Sequence, residues 1–139
     1  MHRLLRLWWR WRKPRTFGAH AVAVTPRGTI LLVKLRYARG WRLPGGGRKA
    51  HEDAQEAALR ELREEVGMTW HGAVQMAGQL EESVCSKRDN ASLFIVRDVE
   101  YRPRWSLEIE QVMEAALDSL PEDVTPRTLR WLRLVRPAL

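Results

Sequence analysis

Glu61, Glu64 and Glu65 stand directly behind Arg60, and a run of three glycines, Gly45-Gly46-Gly47, lies upstream of them. On a helix, Glu61 and Glu65 fall about 40° apart and Glu64 about 60° to the other side of Glu61, so the three carboxylates share one flank. Two carboxylates about 6 Å apart repel by roughly 3 kcal/mol at an effective dielectric near 20, and by under about 1 kcal/mol when water surrounds them. Such a face is therefore either solvated or a cation site. Arg60, four residues after Glu56 and four before Glu64, offsets part of the charge. A hard divalent cation such as Mg²⁺ would offset the rest. It takes oxygen donors, one or two carboxylates together with substrate phosphates, and keeps several waters. A glycine turn adds backbone groups that approach a ligand closely because no side chain intervenes.

These groups need a helix and a turn to carry them. Ala54, Ala58, Leu62 and Val66 recur every four residues, with Leu59 widening the stripe, which predicts a helix from Asp53 to Val66 that Gly67 ends. Upstream, Trp41 to Leu43 reads as a short strand running into the glycines. Gly18–Thr25 and Thr29–Leu35 are β-rich runs separated by Pro26-Arg27-Gly28, the pattern of a hairpin. Downstream, Ala73–Leu80 and Ala91–Val96 read as strands, with the polar stretch Glu81–Asn90 as a loop near the active side. Thr125-Pro126 supplies an N-cap and a first-turn proline to a closing helix carrying Leu129, Leu132 and Val135, which ends before Pro137.

Taken together, Gly46, Glu52, Arg60, Glu61, Leu62, Glu64, Glu65, Gly67 and Met68 fill every position of the pattern glycine, five residues, glutamate, seven residues, Arg-Glu-aliphatic-x-Glu-Glu-x-Gly-aliphatic. This is the Nudix box. Chance agreement in a chain of this length is roughly one in ten million at ordinary residue frequencies, so the motif is specific. The chain resembles the Nudix hydrolases, and the resemblance implies an α/β (α+β) architecture: a mixed β-sheet sandwiched between α-helices, with the box as loop-helix-loop. It implies cleavage of the diphosphate linkage of a nucleoside diphosphate derivative, with Mg²⁺ as cofactor and Mn²⁺ as a substitute. Matched residue by residue, Glu61, Glu64 and Glu65 are the metal-binding glutamates, and a carbonyl of Gly45 or Gly46 is the loop ligand. Arg60 orients the glutamates, while Glu52 and Gly67 hold the box geometry. The proton acceptor in such enzymes is a box glutamate or one from a later loop. Alignment on Leu120-Pro121 gives Glu108 as the later candidate and puts Glu114 and Ala115 where an aromatic pair is usual. The alternative reading of Glu108 is a solvated charge beside Glu110 on an exposed loop. Lys49 and His51 stand where many relatives have glutamate and glycine, which makes this loop more basic.

The 139 residues fit one domain, with 45% hydrophobic and 29% charged residues and no repeat. The single Cys85 excludes an internal disulfide framework and fits a reducing compartment; no signal-peptide pattern is present, so a cytoplasmic location is expected. Residues 1–15 form a separate segment before the domain at 16–139. Within it, Arg3, Arg6, Arg10 and Lys13 would face away from Leu4, Leu5, Trp8 and Trp11 on a helix. That face could pack on the domain or a second subunit, lie on an anionic membrane, or meet RNA. The net charge of +7 suits a polyanionic substrate, whether a nucleotide or a 5′-triphosphorylated RNA end. Arg36, Arg42 and Lys49 are candidate substrate-binding residues. A homodimer is compatible with the chain, and a nucleotide-sensing domain without hydrolysis is the reading from another functional class.

Overall fold

The computed structural model describes residues 17–84 and 87–139. The expectations for the basic amino-terminal segment and for Cys85 lie outside the described residues. In chain order the elements are β1 (Phe17–Ala23), β2 (Ile30–Leu35), β3 (Trp41–Arg42), β4 (Gly45–Gly47), α1 (Ala54–Glu65), β5 (Met68–Trp70), β6 (Val74–Val84), β7 (Lys87–Val96), β8 (Glu100–Tyr101), β9 (Ile109–Ala115) and α2 (Pro126–Val135), which runs into a 3₁₀ turn at Arg136–Ala138. Three sheets result, with strand orders β4-β1-β7-β6, β3-β2-β9 and β5-β8. β1 and β7 pair in parallel, and the other pairs are antiparallel.

β1 explains how two helices share one sheet. Its alternate residues Ala19, Ala21 and Ala23 belong to the same core as Ala57, Ala58 and Leu62 of α1, while Val22 belongs to the core containing Trp131, Leu132 and Val135 of α2. Successive strand side chains point to opposite faces, so β1 and β7 are covered on both, as parallel strands usually are. Alanines on the α1 side let that helix lie close to the strand. The mixed β-structure between helices is the architecture that the resemblance implied.

Both expected helices form, each with its cap. Asp53 accepts from the Glu56 amide and Thr125 from the Thr128 amide, satisfying first-turn donors that have no partner inside the helix. Gly67 follows α1 at φ 73°, and a β-carbon there would come 2.1 Å from the Arg102 carbonyl oxygen. Among the described residues no helix is long and apolar enough to cross a membrane.

Two expectations need correction. Thr25 and Thr29 do close the turn around Pro26-Arg27-Gly28, but β1 and β2 then part into different sheets, joined only by a bridge at Val24 and Ile30. Each strand finds a longer partner, β7 or β9. Glu81–Asn90 is not a loop: β6 and β7 continue through it with Glu81 opposite Asn90 and Val84 opposite Lys87. A backbone ladder needs no apolar side chain, and the polarity of the stretch hid the strands. Of the two readings of Glu108, the exposed-loop alternative does not hold: it is buried at the entry to β9, a strand whose residues 109–115 do not alternate and which pairs with β2 from Ile30 to Lys34 before the register shifts at Leu35.

Candidate active site

The site forms where β4 meets the flank of α1. Gly45 pairs with His20 across the sheet, and a β-carbon on it would lie 2.3 Å from His20 Nδ1 and 2.5 Å from the Ala19 carbonyl oxygen. Only glycine fits there. The close approach lets the Gly45 amide donate to Glu65 Oε1 at 3.1 Å, tying the loop to the end of the helix.

Arg60 is the hub of the charged face. Its Nε donates to Glu52 Oε2 at 2.7 Å and Nη2 to Glu52 Oε1 at 3.0 Å, a two-pronged pairing. The same Nη2 reaches the Gly47 carbonyl at 3.1 Å, while Nη1 donates to Glu61 Oε1 at 3.0 Å and Glu64 Oε2 at 3.3 Å. The Lys49 amide adds a bond to Glu52 Oε1 at 2.9 Å. The hydrogen bonds from Arg60 chiefly hold the Glu52 carboxyl down at about 2, and those to Glu52 raise the guanidinium in turn. The expected partnership of Arg60 with Glu56 is thus superseded by one with Glu52, which reaches back from the loop.

The three glutamates of the flank are not equivalent. Glu61 is fully buried and Glu65 nearly so, whereas the Glu64 side chain is 43% exposed. Burial is the main force that raises the Glu65 carboxyl well above the usual range. The charge of Glu61 and a hydrogen bond with it push the same way, as does the charge of Glu108, and the Gly45 amide opposes them. Glu108, 8% exposed, therefore lies within electrostatic reach of the box carboxylates. Its amide donates to Ser106 Oγ at 3.1 Å, and its carbonyl accepts from the Arg36 amide at 2.9 Å.

Of the three basic candidates, Arg42 is brought to this group: burial lowers its pKa, the charge of Glu65 raises it, and the neighbouring Arg127 lowers it. Arg36 turns to the Ser106 carbonyl at 3.0 Å, beside Glu108. Lys49 is exposed and contributes its amide to the box. Sequence reasoning missed the group next to Arg42, in which the Arg127 guanidinium lies 4.4 Å from the centre of the Trp131 ring and His20 stacks obliquely on the same ring at 4.7 Å. No sequence spacing links β1, β3 and α2. It also missed what Glu114 does: the carboxylate bonds Arg27 at 2.7 and 3.0 Å, Tyr101 at 2.6 Å and Thr29, a structural cluster at the position where the family usually has an aromatic.

Among the described residues, no three metal-ligating side chains are already gathered as a set. The fit to a hard cation is one of donor chemistry. Glu61 and Glu65 bring buried carboxylate oxygens beside glycine backbone, and Glu64 brings a third from the solvent side. A divalent cation would relieve the charge repulsion that, together with burial, raises the Glu65 carboxyl.

Comparison with known proteins gives a consistent result. The family model described as NUDIX domain matches residues 14–134. A Bacillus subtilis (strain 168) protein, provisionally named an 8-oxo-dGTP diphosphatase, is 44% identical over 52 residues, a match covering 37% of this chain and 35% of that one. The matched stretch thus spans about a third of the curated relative. Among solved structures, the MutT NUDIX hydrolase of Burkholderia pseudomallei is similar at 25% identity and a TM-score of 0.75, covering 88% of this chain and 99% of that one. The MutT protein of Methanosarcina mazei Go1 is similar at 26% identity and 0.72, covering 91% and 97%.

Proposed function

Because this chain belongs to the NUDIX domain family, we propose that it is a hydrolase of phosphoric anhydride bonds that cleaves the diphosphate linkage of a nucleoside diphosphate derivative in a metal-dependent reaction, by attack of water on phosphorus. The observation that carries this reading is the pair Glu61 and Glu65, two carboxylates buried side by side against the Gly45 turn, with burial and mutual charge raising one of them. Burying two like-charged groups side by side is costly, and their position suits a cation site.

In this reading the domain spans residues 16–139. Glu61, Glu64 and Glu65, with a carbonyl of Gly45 or Gly46, would hold Mg²⁺ or Mn²⁺. Held there, a divalent cation would lower the pKa of a water and neutralise charge on the non-bridging oxygens. Arg60 fixes the direction of Glu61 and Glu64 while Glu52 holds Arg60. Glu108 takes the proton of the attacking water, or Glu64 does. Arg42, partly buried and charged, faces the polyanion from the β3 side. Most of the acceleration in phosphoryl transfer comes from positioning and electrostatics, so losing one carboxylate should damage turnover far more than folding.

The test is Glu61→Gln, which preserves shape and an acceptor for Arg60 while removing one charge. Phosphate or pyrophosphate release would be measured with and without Mg²⁺ on nucleoside triphosphates, including 8-oxo-dGTP because of the relative's name, and on nucleotide sugars, dinucleoside polyphosphates and a 5′-triphosphorylated RNA. We expect metal-dependent turnover to fall at least about 100-fold, the scale seen when one stabilising group is lost from an active site. Turnover equal to wild type on a good substrate would refute the assignment.

A further inference from the structure

Trp105 is 76% exposed, the largest exposure among the large apolar side chains described, yet its surroundings are ordered by a set of specific bonds. Ser106 Oγ accepts from the amides of Glu108 (3.1 Å) and Ile109 (3.2 Å), closing a tight turn directly after the tryptophan. Arg36, at the end of β2, fastens that turn twice, from its amide to the Glu108 carbonyl (2.9 Å) and from Nε to the Ser106 carbonyl (3.0 Å). The guanidinium is thereby laid over the indole, 5.4 Å from the ring centre. Residues 36–40 and 102–107 contain no acidic residue, and Arg39, Arg102 and Arg104 are exposed in them.

Only Ser106 and Leu107 separate Trp105 from Glu108, so their α-carbons lie within about 11 Å of each other. A diphosphate and one ribose can bridge that distance. An indole open to water and braced by an arginine on a stretch of chain rich in arginine matches a flat ring attached to phosphates better than it matches a neutral partner. We infer that Trp105, braced by Arg36, is a stacking platform for a nucleobase carried beyond the scissile diphosphate, so that the substrates bound best have a base on each side of the phosphate chain. The inference rests on the hydrolase reading above and narrows its substrate class. The platform shares the Ser106 turn with Glu108, so stacking would register the phosphate chain against the carboxylates.

Steady-state kinetics of wild type, Trp105→Ala and Trp105→Phe on three compounds test this: a dinucleoside tetraphosphate, a nucleoside triphosphate and a nucleotide sugar. Stacking of one base corresponds to about tenfold in affinity. The alanine variant should raise KM for the dinucleoside compound about tenfold at unchanged kcat, leave the other two unchanged, and be rescued by phenylalanine. An equal loss on all three would make Trp105 a mere support for the Glu108 turn, a loss on the sugar alone would make the platform a sugar subsite, and no loss would leave it idle; each outcome overturns the inference. If wild type cleaves none of the three, the hydrolase reading fails. Fluorescence titration with the dinucleoside tetraphosphate then still tests the platform, because equal affinity in wild type and Trp105→Ala would refute it.

Discussion

Arg60→Ala should be the most damaging single change to stability on the charged face of α1. The side chain is 12% exposed and serves Glu52, 13% exposed, and Glu61, fully buried, as well as the more exposed Glu64. The Glu64 contact is an ordinary i,i+4 pair worth about 0.3–0.5 kcal/mol. The Glu52 fork consists of hydrogen bonds to a charged group, about 1.5–3 kcal/mol. Removing one partner of a buried pair, as at Glu61, costs about 3–5 kcal/mol, but proton uptake or entering water would recover part of it. Because these terms overlap, we expect a net loss of about 3–4 kcal/mol. For a chain of this size that corresponds to roughly 10–15 °C in Tm. Arg60→Lys keeps the charge but not the fork, and should lose about 2 kcal/mol. Urea unfolding at pH 7 measures both. The pH dependence gives a second handle: Arg60 holds the Glu52 carboxyl at about 2 against an ordinary 4.5. A depressed folded pKa contributes stability that is present above the unfolded value and lost as pH falls toward the folded one. The gap between wild type and Arg60→Ala should therefore stay constant above about pH 5 and narrow below it. A loss under about 1 kcal/mol at pH 7, or a gap that widens in acid, would refute the idea that Arg60 clamps loop to helix.

Gly67→Ala forces a left-handed residue and a β-carbon 2.1 Å from the Arg102 carbonyl oxygen, whereas Gly78 has nothing within 4 Å of the same construction. The first should cost at least about 3 kcal/mol and the second under about 1 kcal/mol by urea unfolding, and similar losses would contradict the turn geometry. Burial and the hydrogen bond to Glu114 push the Tyr101 phenol up to about 12. A raised folded pKa gives stability that is complete below the unfolded value near 10 and is lost as pH rises through about 12. Ultraviolet titration of the phenol should show this value fall toward 10 in Glu114→Ala, and an unchanged titration would mean that the carboxylate does not govern it.

The parts of the molecule that could be read from the sequence are those whose signals are local. The four-residue repeat of Ala54, Ala58, Leu62 and Val66, the Asp53 cap and Gly67 fix α1 to within a residue, and Thr125-Pro126 does the same for α2. The box lies within one loop and one helix, so its pairings were largely set by spacing. The strand β9 was not legible, since Ile109, Val112 and Met113 follow neither a period of two nor one of 3.6, and its register comes from β2, far away in the chain. Glu114 looked like a departure from a family position. Its real partners, Arg27, Thr29 and Tyr101, arrive from three separate segments that only the folded sheet brings together.

Glu108 shows why such long-range placement matters for function. In the sequence, alignment on Leu120-Pro121 selects Glu108, with a solvated charge beside Glu110 as the alternative. In a regular strand residues two apart share a face, but here Ile109 and Gln111 pair with the consecutive residues Leu35 and Lys34, so Glu110 is an extra residue at a bulge and stays exposed while Glu108 is buried at 8% exposure. The buried carboxylate then joins Glu61 and Glu65 in one low-dielectric space, where like charges raise each other's cost. A fold selected for stability alone would place an apolar residue at such a position. That Glu61 and Glu108 instead lie within electrostatic reach of Glu65, which bonds the Gly45 amide, is the strongest physical reason to look for a cation and a phosphate chain there.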